Sequence, residues 1–203
     1  MSAVEAPGTP SPSRAKGSDA VKSALIAAAA EMLGEVGPKS LSVRDLAERA
    51  GVNHGQVHHY FGGKRGLLEA AMRHLARQHF DHSLELSGGG AFPPPLSLTE
   101  NRTYFRALCQ SVMDGDADLV TTVDLDDEIS VPRRVLRHLR EVNPDADDLE
   151  LRAGFAAQAA MQLGWFAFED HLLRIAEVEP GDEDAFRERV KASMLRTINF
   201  ATD

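Results

Sequence analysis

The side chains with the clearest capacity for binding chemistry lie close together in the first third of the chain: His54, Gln56, His58 and His59. Imidazole and amide groups donate and accept hydrogen bonds, so this set can contact base edges or phosphates, and a glutamine can pair bidentately with adenine. His54 and His58 also have the i, i+4 spacing of two zinc ligands on one helix face. No cysteine or carboxylate stands nearby to complete a tetrahedral site. The pattern therefore favours contacts in a DNA groove, and we expect no metal.

Two short helices are predicted to position these residues. The first helix is indicated by apolar residues at the spacing of one helix face, at Val43, Leu46, Ala47 and Ala50. Ser42 and Asp45 fit a capping box, and Gly51 suits the end of this helix. Asn53 is expected to cap a second helix, whose side chains Val57, Tyr60 and Phe61 face the interior. Two helices joined in this way form a helix-turn-helix, whose second helix fits the major groove. A helical hairpin with an ordinary polar face is the alternative.

Further helices are predicted on both sides of this hairpin. Ala20 to Val36 is apolar along one face and would complete a three-helix unit. Lys64 begins a longer helix that passes Phe80 and ends near Leu86. A cation at the positive end of a helix suits a phosphate, so Lys64 is a candidate phosphate ligand.

The stretch from Gly51 to Leu68, with Tyr60-Phe61, the following glycines and Lys64, resembles the DNA-binding domain of the TetR family of bacterial transcriptional regulators. The similarity includes the preceding helix and the Gly37 turn, and covers roughly residues 20–75.

By position, the resemblance implies that Arg44 and Lys64 hold phosphates. His58 stands where the family usually has a phosphate-binding tyrosine, and Gly63 where a serine or asparagine cap is common. The resemblance also implies that the bases are faced by His54, Gly55 and Gln56. The full set predicted to bind double-stranded operator DNA is Ser42, Arg44, Asn53, His54, Gly55, Gln56, His58, His59 and Lys64.

The charge is unevenly distributed along the chain. The whole chain carries −9, but residues 20–80 hold eight basic and five acidic residues, a net +3. Residues 81–203 hold 12 basic and 24 acidic residues, a net −12. Phosphate attraction acts locally, so a basic reading unit on an acidic body is compatible with DNA binding.

The length of 203 residues indicates one or two small domains, and helical periodicity without strand alternation predicts an all-α protein. We expect a disordered arm over residues 1–18, a helix-turn-helix domain over 19–65 (the head) and a helical ligand-binding and dimerisation domain over 66–203 (the body). Gly88-Gly89-Gly90 and Pro93-Pro94-Pro95 predict a loop from Ser87 to about Ser97. Body helices are predicted from Thr99 to Met113, from Pro132 to Val142, from Asp147-Asp148 and from Gly181-Asp182, with a weaker one within 115–128.

Several other functions are disfavoured by the sequence. A lone cysteine, Cys109, excludes an internal disulfide framework and suits a reducing cytoplasm, where we expect the protein to act. No apolar run approaches ~20 residues, and no signal peptide is evident. The acidic run from Asp114 to Glu128 has its glycine in the wrong place for an EF-hand, which favours a solvated loop over calcium. Enzyme motifs are absent, so we expect neither an enzyme nor a cofactor; a helical enzyme and a helical protein-interaction module are the alternatives.

The TetR resemblance further implies a homodimer and a small-molecule effector. We expect the dimer to form through the segments 147–176 and 182–200, and the effector to be largely apolar and to release a repressor from its operator. It would lie between the helix of Tyr104 and the one of Phe155, although aromatic residues at helical spacing also make ordinary core. The candidate ligand-binding residues are Tyr104, Phe105, Leu108, Cys109, Val112, Phe155, Met161 and Trp165.

Overall fold

A computed structural model describes residues 12–198, with side chains described for 17–196. Within that range it contains only helices, so the predicted all-α class is confirmed. None of these helices is long and apolar enough to cross a membrane. The elements are α1 Pro12–Val36, α2 Val43–Arg49, α3 Gly55–Phe61, α4 Lys64–Leu86, a 3₁₀ helix Ser97–Asn101, α5 Arg102–Met113, α6 Asp118–Asp124, α7 Val131–Val142, α8 Asp148–Ile175 and α9 Glu183–Ile198.

Local sequence signals explain where the body helices begin. The Ser130 hydroxyl accepts a hydrogen bond from the Arg133 amide (3.3 Å), and Pro132 lies in the first turn of α7. The Asp147 carboxylate accepts from the Glu150 amide at 3.0 Å and caps α8. The predicted starts of both helices are confirmed, as is the whole extent of α4.

Two boundaries differ from the sequence prediction. Helix α1 begins at Pro12, earlier than Ala20, and takes in residues 12–18 that we had assigned to the arm; proline is favourable in the first turn of a helix. Residues 1–11 lie outside the described range. Thr99 does not cap α5, because it lies within the 3₁₀ helix and its hydroxyl donates to the Leu96 carbonyl at 3.1 Å. Helix α5 therefore begins only at Arg102.

One hydrophobic core runs through the head and the upper part of the body. Helix α1 packs against both α4 and α5, so two helices connect the head to the body. The contact with α5 is close: a Cβ on Gly34 would lie 3.0 Å from the backbone oxygen of Thr103. Helix α6 extends this core with Leu119, Val120 and Val123. A movement of α4 or α5 is thus transmitted to the head through packed side chains.

Helices α8 and α9 form a more open layer. Their contacts centre on a small separate cluster of Leu96, Trp165 and Met194. On α9, Met194 takes the buried position and the neighbouring Leu195 is 49% exposed. Much of α8 is also exposed, including Phe168 and Ile175.

Candidate nucleic-acid interface

The start of α2 is fixed by a capping box. The Ser42 hydroxyl accepts from the Asp45 amide at 3.2 Å, and the Asp45 carboxylate accepts from the Ser42 amide at 3.1 Å. The hydroxyl of Ser42 also donates to that carboxylate at 2.6 Å. This hydrogen bond lowers the pKa of Asp45. Ser42 is exposed, but its hydroxyl orients α2 rather than standing open toward a ligand.

The turn between α2 and α3 follows the predicted chemistry with one difference. Gly51 has a φ of +67°, and the Val52 amide donates to the Ala47 carbonyl at 3.0 Å. The N-cap position of α3 is His54, and Asn53, which we predicted there, lies one residue earlier. Asn53 still accepts a hydrogen bond on its side-chain oxygen, from the Gly55 amide at 2.8 Å. Its side chain is thus engaged in holding the start of α3.

Helix α3 presents an exposed polar face that carries no carboxylate. Val57 is fully buried against the head, whereas exposed positions are held by His54, Gly55, His58 and His59. Gln56 is only half-buried, and its Oε1 atom is covered without a hydrogen-bond partner among the described residues. Bidentate pairing of Gln56 with a base would therefore require its Oε1 atom to become exposed.

Three glycines set the angle between α3 and α4. Gly62 and Gly63 have φ values of +73° and +132°, which residues with a Cβ atom rarely adopt. The backbone conformation of Gly63 suits glycine. A Cβ on Gly66 would collide with the carbonyl oxygen of Phe61. The close approach brings the first turn of α4, with Lys64, beside α3.

Ion pairing separates the basic residues of the head and α4 into two groups. Within 12–198, the paired group consists of Lys22, Arg49, Arg65, Arg73 and Arg77. Lys39, Arg44 and Lys64 form no ion pair with any described residue. The sequence could not show this distinction, because the carboxylates that pair with Arg65, Arg73 and Arg77 across helices are about 50 residues away along the chain. Both predicted phosphate ligands, Arg44 and Lys64, are thus available as cations.

The candidate ligand-binding residues fall in different places. Tyr104 and Phe105 are buried in the main core, and Leu108 packs against it, whereas Trp165 belongs to the α8–α9 cluster. Val112 is half exposed. Met161 lines a groove of about 540 Å³ between α8 and α9, and Cys109 and Phe155 are partly buried. Burial raises the pKa of the Cys109 thiol, which disfavours the reactive thiolate.

Sequence reasoning missed a buried polar group beside these aromatics. His79 is 7% exposed, lies among Tyr104 and Phe105, and has the Ser83 hydroxyl 3.5 Å from its Nδ1 atom. The only sequence signal was its position on the buried face of α4, seven residues after Met72 and four after Leu75.

Comparison with known proteins identifies the family that this helix-turn-helix resembles. The profile of bacterial regulatory proteins of the tetR family matches residues 25–71, which contain α2, α3 and the first turns of α4. These residues form a DNA-binding domain of the TetR family. The transcriptional repressor Rv3405c of Mycobacterium tuberculosis is 28% identical over 187 residues, or 90% of this chain and 91% of that protein. The regulator BetI of Yersinia pestis is 37% identical over 90 residues, or 44% of this chain and 42% of that one.

A solved structure supports the fold over most of this chain. The crystal structure of a mutant HlyIIR protein superposes with a TM-score of 0.60 and 16% identity, and covers 92% of this chain and 99% of that one. Taken together, the family match and the relatives make the protein a DNA-binding regulator and not an enzyme.

Proposed function

We propose that this TetR-family chain is a repressor that binds operator DNA as a homodimer in the cytoplasm and is released by a small, largely apolar ligand. The observation that carries the DNA assignment is the surface of α2, α3 and the start of α4. Arg44 and Lys64, which form no ion pair with any described residue, accompany an exposed α3 face without a carboxylate. That arrangement suits a helix in the major groove with phosphates held on both sides.

The dimer proposal is supported by an exposed apolar face on α8. Met161, Phe168 and Ile175 are 37%, 60% and 62% exposed and lie at helical spacing. Next to them, the groove of about 540 Å³ is lined almost wholly by apolar side chains, among them Trp165 and Phe186. An apolar face of this extent is typical of a surface covered by a second protein. A second copy would also supply a second recognition helix. An operator with two half-sites about one helical turn apart requires two such helices.

The ligand proposal is supported by how loosely α8 covers α5. Helix α8 has its extensive backbone contacts with α7, α9 and the 3₁₀ helix, and it meets α5 through the Phe105–Phe166 ring contact at 5.7 Å. Leu108 on α5 and Phe155 on α8 are half-buried apolar side chains. An apolar ligand that separated α5 from α8 would displace α5, against which α1 of the head is packed. Such a ligand changes DNA affinity only insofar as it binds the two arrangements differently.

In vitro selection from a random duplex library tests the proposal. The full-length protein is expected to enrich a two-fold symmetric site whose half-sites lie about 34–36 Å apart along the DNA. Fluorescence anisotropy on the enriched duplex and on a scrambled one then measures specificity. Failure to enrich any sequence at low salt would overturn the DNA-binding proposal, and enrichment of single half-sites alone would overturn the dimeric mode.

A further inference from the structure

The acidic run of the body pairs with the basic residues of α4. Asp116 forms an ion pair with Arg65, Oδ1 to Nη1, at 2.5 Å, and Asp126 pairs with Arg73. Glu128 meets Arg77 twice, through its carboxylate at 3.9 Å and through its carbonyl oxygen at 3.3 Å. Three of the acidic residues that suggested a calcium loop in the sequence are therefore paired with arginines. We call Asp114, Asp116, Asp126 and Glu128 the acidic rail.

The rail follows α4 in register. The carboxylates occur in the same chain order as their arginines, so the segment that contains α6 runs parallel to α4. From Arg65 to Arg77 the helix advances by about 18 Å at 1.5 Å per residue. Contacts at both ends of such a length constrain the tilt of α4 as well as its distance from α6.

The upper end of the rail also contacts the head at a second point. Asp114 accepts a hydrogen bond on Oδ2 from the Lys39 amide at 3.1 Å. The fit is close, because a Cβ on Gly37 would lie 2.9 Å from the same oxygen. The turn between α5 and α6 thus holds the α1–α2 connection through Asp114 and the first turn of α4 through Asp116. These two segments flank the helix-turn-helix.

We propose that Asp114, Asp116 and Asp126 are positioning residues that fix the angle of the head on the body, and thereby the spacing of half-sites that the dimer accepts. The proposal rests on the DNA-binding function proposed above. Each of the three acts through its protein partner, Lys39, Arg65 or Arg73. Because α6 follows α5 directly, the rail also connects the region proposed for the ligand to the head.

The effect of the rail is on geometry more than on stability. Most of its side chains are partly exposed, and exposed ion pairs contribute little to the free energy of unfolding. Three pairs along one helix nevertheless restrict its tilt, since each favours the same arrangement. A rail variant should therefore fold normally and lose discrimination between operators.

The chain offers a matched control within the same acidic run. Asp118 is exposed and forms no ion pair or side-chain hydrogen bond with any described residue. Asp118→Asn removes one negative charge close to Asp116, as Asp116→Asn does, but breaks no contact. A difference between the two variants therefore reports the contact and not the general attraction of DNA for a less acidic protein.

The test compares affinities for the selected operator and for the same operator with one base pair inserted between its half-sites. We define the spacing ratio as the dissociation constant for the operator with the inserted base pair divided by that for the selected operator. This ratio is expected to fall by about twofold to fivefold in Asp116→Asn and in Asp126→Asn, which is the range that one exposed ion pair can supply. Asp118→Asn should keep the ratio of the wild type. The inference is overturned if the rail variants keep it too, or if Asp118→Asn loses as much.

A charge exchange separates the contact from the residues that make it. Arg73→Asp and Asp126→Arg each place two like charges together, and each should lower the spacing ratio. The double variant restores an ion pair of opposite polarity and should recover most of the wild-type ratio. A double variant as impaired as the worse single variant would overturn the role assigned to this pair.

Hydrogen exchange gives a readout that does not depend on DNA. Amides of residues 37–41 and 62–67 are expected to exchange faster in Asp116→Asn than in Asp118→Asn, while amides of α8 stay unchanged. If the wild type selects no operator but this difference appears, the DNA-binding function fails and the positioning role stands. Equal exchange in the two variants would overturn the positioning role.

Discussion

The imidazole of His79 is stacked on the phenol ring of Tyr104, with 4.9 Å between the ring centroids and 19° between the planes. Phe105 meets the same imidazole nearly edge-on, with centroids 4.8 Å apart. The Tyr104 hydroxyl donates a hydrogen bond to the Asp124 carboxylate at 3.5 Å. A line of ionisable groups from α4, α5 and α6 thus crosses an otherwise apolar core.

Burial makes this line sensitive to acid. It lowers the pKa of His79 from 6.5 to about 4, with a smaller contribution from nearby His82. Burial raises the pKa of the Asp124 carboxyl, and also that of the Tyr104 phenol. The folded protein therefore keeps the imidazole neutral over a pH range in which the unfolded chain would protonate it.

We predict that His79 makes the protein less stable as the pH falls from about 6.5 to 4. In that window the unfolded state binds a proton at this position and the folded state does not, so unfolding becomes easier. The loss attributable to His79 should approach ~3 kcal/mol at pH 4, because each unit of pKa shift corresponds to ~1.4 kcal/mol. Asp124 acts in the opposite direction, since its folded form takes up a proton at a higher pH than its unfolded form does.

Urea unfolding at pH 7, 6, 5 and 4 measures this effect. His79→Gln cannot titrate, so the difference in unfolding free energy between wild type and variant should shift in favour of the variant as the pH falls. His74→Gln, on the exposed face of the same helix, is the control and should track the wild type. Parallel curves for wild type and His79→Gln would contradict the prediction.

The DNA interface yields a second prediction. Lys64→Ala should weaken binding to all duplexes and reduce the slope of log affinity against log salt by about 2 for a dimer, because each phosphate contact contributes about 0.9. The measurement is fluorescence anisotropy from 50 to 200 mM salt. Arg137→Ala, which removes an exposed cation from the body, should leave the slope unchanged. An unaltered slope in Lys64→Ala would remove Lys64 from the phosphate ligands.

Gln56 should affect sequence choice instead. Gln56→Ala is expected to lose about 1–3 kcal/mol on the selected operator and much less on scrambled DNA, as for a lost base contact. The buried Oε1 atom has no hydrogen-bond partner among the described residues, so the substitution breaks no bond of that atom within them. Gln78→Ala, exposed on α4, is the matched control. Equal losses on both duplexes would show that Gln56 reads no base.

The sequence predicted elements whose signals are local. The capping box of Ser42 and Asp45, the starts of α7 near Pro132 and of α8 at Asp147-Asp148, and the first residue of α4 each depend on a few neighbouring residues, and all are confirmed. The predicted start of α5 was wrong because the chain after Leu96 enters a 3₁₀ helix, and over only five residues an i, i+3 side-chain pattern fits a 3₁₀ helix as well as an α-helix.

Features that depend on distant residues could not be predicted. The run from Asp114 to Glu128 reads as a solvated loop, since nothing in the sequence shows that α6 lies against the arginines of α4. The same holds for Gln56: a helical pattern gives the direction of a side chain but not whether its amide is covered. Gly66 lies within the stretch that resembles the family, but the close approach of the Phe61 carbonyl, which requires a glycine there, is visible only in three dimensions.

Gly66 provides a third prediction. Gly66→Ala places a methyl group against the Phe61 carbonyl and should destabilise the protein by about 1–3 kcal/mol, as overpacking does. Thermal unfolding at fixed protein concentration measures the effect. Gly17→Ala has open space around the new methyl group in α1 and should be neutral or stabilising by up to ~1 kcal/mol. Equal melting temperatures for Gly66→Ala and wild type would show that α3 and α4 separate at no cost.

The last prediction concerns the exposed face of α8. If a second copy covers it, Phe168→Glu buries a charge at the interface, and unpaired buried charges are strongly unfavourable. Sedimentation at micromolar concentration should show a dimer for the wild type and a monomer for Phe168→Glu. Leu125→Glu is the matched control, because Leu125 is also 60% exposed but lies at the end of α6.

The two variants also separate dimerisation from DNA binding. A monomeric Phe168→Glu protein should lose the preference for two correctly spaced half-sites while it keeps weak binding to a single half-site, because α3 and Lys64 are unchanged. Its melting temperature should become independent of protein concentration, whereas that of the wild type rises with concentration. A dimeric Phe168→Glu protein would exclude this face of α8 from the interface, and a monomeric Leu125→Glu protein would point to the end of α6 instead.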